Sequence, residues 1–181
     1  MPVEPGIVDA NVLVYAFDTK APQHAASRTL LDVARTGATT LYVTLQVRCE
    51  FYSIVTNARR VAKPRTSADA LTAISDMLGF LRVLPVPVTA ADELMALLLH
   101  RPVTGGETFD LQIVATMKLN GIPRIYTFNT DDFKPFQEIE AFTPLAGVYF
   151  EWSHLKNAGT AKPLRLRAMA CEFSSQKRIT P

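Results

Sequence analysis

Short apolar runs alternating with helical stretches constrain this chain more than any other feature. GIV at 6–8 leads directly into ANVLVYAF, and LYV at 41–43 follows a helical stretch from His24 to Arg35. RVLPVPV at 82–88 reads as a third strand-like run, and RIYTF at 124–128 as a later strand. Between them, Thr44 is placed to cap a helix holding Val47, Glu50, Phe51 and Ile54. Ser67 opens a helix running to Leu81, and Thr89 with Asp92 has the spacing of a capping box before ELMALLLH. Gly105 and Gly106 lead into ETFDLQIVATMKLNG, where Phe109, Ile113 and Met117 recur at helical spacing and Gly121 supplies a left-handed stop. Strands alternating with helices predict an α/β domain whose parallel sheet is covered by helices.

The chain has 181 residues, 48% of them apolar, which fits a single main domain with one core. Its longest apolar runs, such as LMALLL, are far short of a membrane span, and the N-terminus lacks the basic region of a secretory signal. Two cysteines, Cys49 and Cys171, make neither a disulfide framework nor a zinc pattern, so a cytoplasmic setting is expected. His24, His100 and His154 show no ligand spacing and read as structural or surface residues.

Acidic residues stand where these elements end or begin. Asp9 follows the first strand, while Asn129, Asp131 and Asp132 follow the RIYTF strand. In a parallel sheet both groups share the carboxyl edge, where open α/β folds keep their sites. Glu50 shares a helix face with Val47 and Ile54, and Asp110 lies in a first helical turn beside Phe109. At an effective dielectric near 20, two like charges about 4 Å apart repel by roughly 4 kcal/mol, so clustered carboxylates call for protons or a bridging cation. Oxygen ligands of this kind suit Mg²⁺ or Mn²⁺. Asp110 could instead simply favour the helix dipole, and Asp131 and Asp132 could be turn residues. Asp9, ending a buried strand, has no comparable duty.

IVDANVLVYAFD, then CEF with Glu50, then TFDLQIVATMKLNG and IYTFNTDDF resemble the successive signatures of PIN-domain ribonucleases, in particular VapC-type toxins of type II toxin–antitoxin pairs. The likeness spans about residues 5–145, and four motifs in order are far more specific than any one. It implies a three-layer α/β/α sandwich on a central parallel sheet. It also implies an endoribonuclease dependent on Mg²⁺ or Mn²⁺, leaving 5′-phosphate and 3′-hydroxyl ends, and commonly a homodimer neutralised by a small cognate antitoxin. Position by position, the family's metal-binding and catalytic acids fall on Asp9, Glu50 and Asp110; the fourth lies among Asp132, Asp131 and Asn129. Thr127, Asn11 and Asn129 would orient carboxylates or waters through hydrogen bonds.

Arg59, Arg60, Lys63 and Arg65 form an acid-free stretch after the Glu50 helix, a candidate track for an RNA backbone as well as an ordinary solvated loop. Residues 1–145 carry thirteen basic and fifteen acidic residues and are expected to form the nuclease domain. Residues 146–181 carry six basic and two acidic ones and read as a basic extension of unassigned role. The rival reading is a catalytically inactive PIN-fold module that binds RNA or protein, but every candidate ligand position keeps an acid or has one beside it. A phosphatase with a second aspartate two residues after the first is disfavoured by Asn11, and no glycine-rich dinucleotide fingerprint is present.

Overall fold

The computed structural model describes residues 2–146. Within them five strands, β1 (Gly6–Val8), β2 (Leu41–Val43), β3 (Arg82–Val83), β4 (Arg124–Tyr126) and β5 (Glu140–Phe142), form one wholly parallel sheet in the order β3-β2-β1-β4-β5. Six helices surround it: α1 (Ala10–Phe17), α2 (His24–Arg35), α3 (Leu45–Val55), α4 (Ser67–Leu78), α5 (Ala90–His100) and α6 (Glu107–Asn120). Packing divides them into two groups. α1 touches α2 and α3, and α3 touches α4, whereas α5 packs on α6. Right-handed crossovers on this strand order require that division, because the chain first steps from β1 towards β3 and then jumps back to β4. The result is the expected α/β sandwich.

Central position explains the composition of β1, whose three residues are all buried, as the middle of a parallel sheet demands. Gly6 is needed for closeness rather than for backbone freedom. A Cβ there would lie 2.9 Å from the Arg124 carbonyl oxygen and 3.0 Å from the Tyr126 ring. Leu13, Leu30, Val47, Phe51, Leu111, Ile113, Met117 and Ile125 fill the core around the sheet.

The predicted helices form, with shifted ends. Thr44 caps α3 as expected, its hydroxyl accepting the Val47 N–H at 3.1 Å. Helix α4 opens at Ser67 as expected, capped by the Thr66 hydroxyl, which accepts from the Asp69 N–H, and stops at Leu78, short of Leu81. Thr89 is already helical in backbone conformation and makes no side-chain cap, so the Thr89–Asp92 capping box does not form. Phe109 is 52% exposed, because the buried face of α6 begins only at Leu111. Gly121 ends α6 at φ 64°, with the Ile122 N–H bonded back to the Met117 carbonyl.

The strands differ more from expectation. RVLPVPV contributes only Arg82–Val83 to the sheet, after which the Leu84 N–H makes one more bond to the Val43 carbonyl. Pro85 and Pro87 have no N–H to continue the ladder. β5, unanticipated in EAF, pairs with β4 and is tied to it by Arg124, which bonds Glu140 at 2.6 Å. His24 is structural, its ring nitrogen 3.0 Å from the Tyr15 carbonyl. Among the described residues no helix is long and apolar enough to cross a membrane. The basic extension, His154 and Cys171 lie outside the described residues.

Candidate active site

The sheet's pairing dictates where the acids meet. β1 lies between β2 and β4, and the connections leaving β1 and β4 run in opposite directions, which opens a crevice at their carboxyl ends. Val8 pairs with Tyr126, so the next residues on the two strands, Asp9 and Thr127, arrive side by side. The Asp9 N–H bonds the Tyr126 carbonyl at 3.0 Å, fixing that register one step further.

Asp9 is buried, and its side chain is held from two sides. The Thr127 hydroxyl donates to Asp9 Oδ2 at 2.6 Å, and Asn11 Nδ2 donates to the same oxygen at 2.7 Å. Asn11 also reaches Thr127 Oγ1 at 3.0 Å and accepts from the Phe128 N–H at 3.2 Å. Thr127 Oγ1 in turn accepts the Asn129 N–H at 3.0 Å. Asn129 thus enters the network through its backbone. Two residues, Thr127 after β4 and Asn11 in the first turn of α1, hold one carboxylate oxygen in place. Burial nevertheless pushes the Asp9 carboxyl above its usual range; Thr127 and the N–H groups opening α1 counteract this only in part.

Glu50 arrives on α3, half-buried, with its carboxylate accepting from Gln46 Nε2 at 3.2 Å. Gln46 also donates to the Phe109 carbonyl at 2.8 Å, tying the start of α3 to the first turn of α6. That bridge places Glu50 and Asp110 in one neighbourhood. Gln46 escaped the sequence reading, although its position one helical turn before Glu50 is the spacing at which such a pair forms. Burial raises the Glu50 pKa, Asp9 adds to the effect, and the Gln46 amide and the Arg60 charge oppose it.

Asp110 feels the whole group. Desolvation first, then the charges of Asp132, Asp9, Glu50 and Glu107, push its pKa up to about 7. Asp132 sits in a short 3-10 turn, Thr130–Asp132, and its charge raises both Asp9 and Asp110. Asp131, its neighbour, forms an ion pair with Lys134 at 2.5 Å. Both line a cleft of about 150 Å³ shared with Glu107, Asp110, Arg101 and Phe136. Arg101 also escaped the sequence reading; its only signal was a basic residue just beyond a helix end.

Burial first, and neighbouring acids after it, raise the proton affinity of Asp9, Glu50 and Asp110, a cost that a divalent cation relieves. Among the described residues no three His, Cys, Asp or Glu side chains are drawn together as a ready-made cage. Mg²⁺ keeps several waters and takes one or two carboxylates together with substrate phosphate, so an all-oxygen donor set is of the kind it uses. The donors therefore fit the ion by chemistry. Arg59, Arg60, Lys63 and Arg65 are all exposed beside this region, and Arg60 is near enough for Glu50 to sense its charge.

Comparison with known proteins agrees with the fold. The PIN domain model matches residues 6–139. No curated relative matches the chain. Among solved structures, the chain resembles VapBC2 from Rickettsia felis bound to a promoter DNA fragment, with 16% identity, TM-score 0.56, and coverage of 79% of this chain and 100% of that one. VapC20 from Mycobacterium tuberculosis, described as a sarcin-ricin loop cleaving toxin, matches at 16% identity and TM-score 0.54, over 70% of this chain and 91% of its own. A toxin–antitoxin complex from Klebsiella pneumoniae matches at 17% and 0.53, over 78% and 98%. The chain belongs to the PIN-domain family, whose members are generally nucleases that use a divalent metal ion.

Proposed function

We propose that this chain is a divalent-metal-dependent endoribonuclease acting as the toxin of a VapC-type toxin–antitoxin pair. The observation that carries the reading is the approach of four acids from separate elements at the sheet's switch point, near enough that Asp132 acts on Asp9 and Asp110, and Asp9 on Glu50 and Asp110. Such a group is costly to fold around and is of use chiefly to a cation.

Asp9, Glu50 and Asp110 would hold Mg²⁺ or Mn²⁺, with Asp132 rather than Asp131 as the fourth acid, since Asp131 is engaged by Lys134. The bound ion supplies phosphate neutralisation and an acidic water. Thr127 and Asn11 keep the Asp9 oxygens aimed, and Gln46 does the same for Glu50. Asp110, with a pKa near neutrality, gives up its proton most easily when a cation replaces it. Arg59, Arg60, Lys63 and Arg65, all exposed, would track the RNA backbone, and the action of the Arg60 charge on Glu50 supports that role.

An antitoxin partner is supported by the likeness to toxin–antitoxin complexes. Leu45, Met95, Leu99 and Phe109 are exposed apolar side chains of α3, α5 and α6 that a second copy or that partner would cover. The inactive-module reading is disfavoured because the acids are retained together. Cleavage of a labelled RNA pool in Mg²⁺, Mn²⁺ or chelator tests the proposal. Metal-dependent cutting by wild type and a loss of about a hundredfold or more in Asp110→Asn are expected. Chelator-resistant cutting would overturn the mechanism.

A further inference from the structure

We infer that a second cleft, between the carboxyl ends of α1 and α3 and the loop joining α3 to α4, receives one unpaired nucleotide of the RNA. The inference rests on the ribonuclease reading above and adds to it a subsite of its own. The cleft has a volume of about 500 Å³, within the roughly 300–1,000 Å³ span of small-ligand sites. Its floor is apolar, made by Val14, Phe17, Val55 and Val61. Its rim is cationic: among the described residues Lys20, Lys63 and Arg65 line it against one acid, Asp18. The Asp18 carboxylate already accepts the Lys20 N–H at 3.0 Å.

The geometry within the cleft is that of a stacking platform. Arg65 holds its guanidinium 5.4 Å from the centre of the Phe17 ring. Phe17 is itself braced edge-on by the fully buried Phe51, at 5.6 Å between centroids. The Arg65 N–H bonds the Val55 carbonyl at 2.8 Å, so the loop that carries the guanidinium is anchored to the end of α3. Unpaired RNA bases stack on guanidinium planes and aromatic rings, with neighbouring lysines taking the phosphates. An acidic peptide would answer the charges and leave the platform unused, which is why RNA is favoured over a protein occupant.

The cleft also lies within reach of a strand leaving the acid group. Asp9 opens α1 and Phe17 closes it, a separation of about 12 Å along the helix, or a few stacked nucleotides. Arg60, in the same loop as Lys63 and Arg65, is felt electrostatically by Glu50. An RNA strand that follows α1 away from the acids would meet this cleft.

The test uses the full chain, chelator to prevent cutting, and single-stranded oligoribonucleotides of mixed sequence carrying 2-aminopurine, whose fluorescence falls on stacking. Wild type should quench the probe. Arg65→Ala should abolish the quench, and Ala62→Met, which fills the cleft from an exposed position, should weaken binding about tenfold. Thermal melts of both variants check that they fold. Quench and affinity unchanged in both folded variants would overturn the subsite. So would loss of antitoxin capture by the two variants with RNA binding intact, which would assign the cleft to a protein partner. Metal-dependent cutting without a cleft-sensitive quench removes this inference alone; a cleft-sensitive quench without any cutting removes only the catalytic reading.

Discussion

At the scale of single residues, Thr127 carries more of the site than its size implies. Its one hydroxyl donates to Asp9 and accepts from both Asn11 and the Asn129 N–H, so the carboxylate, its second donor and the exit loop share one oxygen. Thr127→Val keeps the shape and removes that oxygen. Mg²⁺ affinity measured by calorimetry should fall about 10–100-fold, the usual effect of losing an oriented ligand's partner; unchanged affinity would mean that Asp9 needs no such support. Gly6 is a residue of the opposite kind, defined by what cannot be added. Gly6→Ala forces β1 away from β4 and should lower stability by about 1–3 kcal/mol in urea unfolding. Asp9 was legible in the sequence because an acid closing a buried strand serves no turn or cap that would otherwise call for it. Asp131 and Asp132 were not separable there, since adjacency in sequence hides the rotation of a 3-10 turn that gives one a lysine and leaves the other facing the acids.

At the scale of elements, α3 shows how local sequence sets site geometry. Thr44 ends the extended backbone of β2 and starts the helix in the same step, and Glu50 follows after less than two turns. Thr44→Ala leaves the Val47 N–H without its acceptor in a buried place and should cost about 1–2 kcal/mol of stability, read from the urea midpoint. Helices of this quality were readable because apolar spacing and caps agree. The strands were harder. β5 is only three residues long, and the periodicity of EAF is too brief to distinguish it from a loop. RVLPVPV carries the composition of a strand, yet its prolines stop the ladder after two residues. Gln46 was missed because half of its role, the bond to Phe109, depends on a helix more than sixty residues away in the chain.

At the scale of the whole molecule, the acid group makes stability depend on pH in an unusual direction. Between about pH 4 and pH 7, Asp110 is protonated in the native chain and ionised in the unfolded one, so the native state binds more protons. Its contribution is therefore fully present below about pH 4 and is lost as the pH rises through 7. Asp9 and Glu50, raised by burial, act in the same sense. In chelator, the melting temperature at about pH 5.5 should exceed that at about pH 8, and Mg²⁺ should raise the value at the higher pH most. A metal-free protein more stable at the higher pH would contradict the clustering. The position of the group was legible from topology alone, because a parallel sheet that reverses its winding has only one such crevice; the ties that tune it, through Gln46 and Arg60, depend on tertiary contacts.

The prolines that cut β3 short have one further consequence. An outer strand normally displays a row of free amides onto which another extended chain can register. Here Pro85 and Pro87 delete two of those amides just beyond the last paired residue, and the Pro85 carbonyl is already taken by Asn120 at 3.0 Å. This border of the sheet is closed to templated growth, so the chain is protected there against sticking edge to edge with its neighbours.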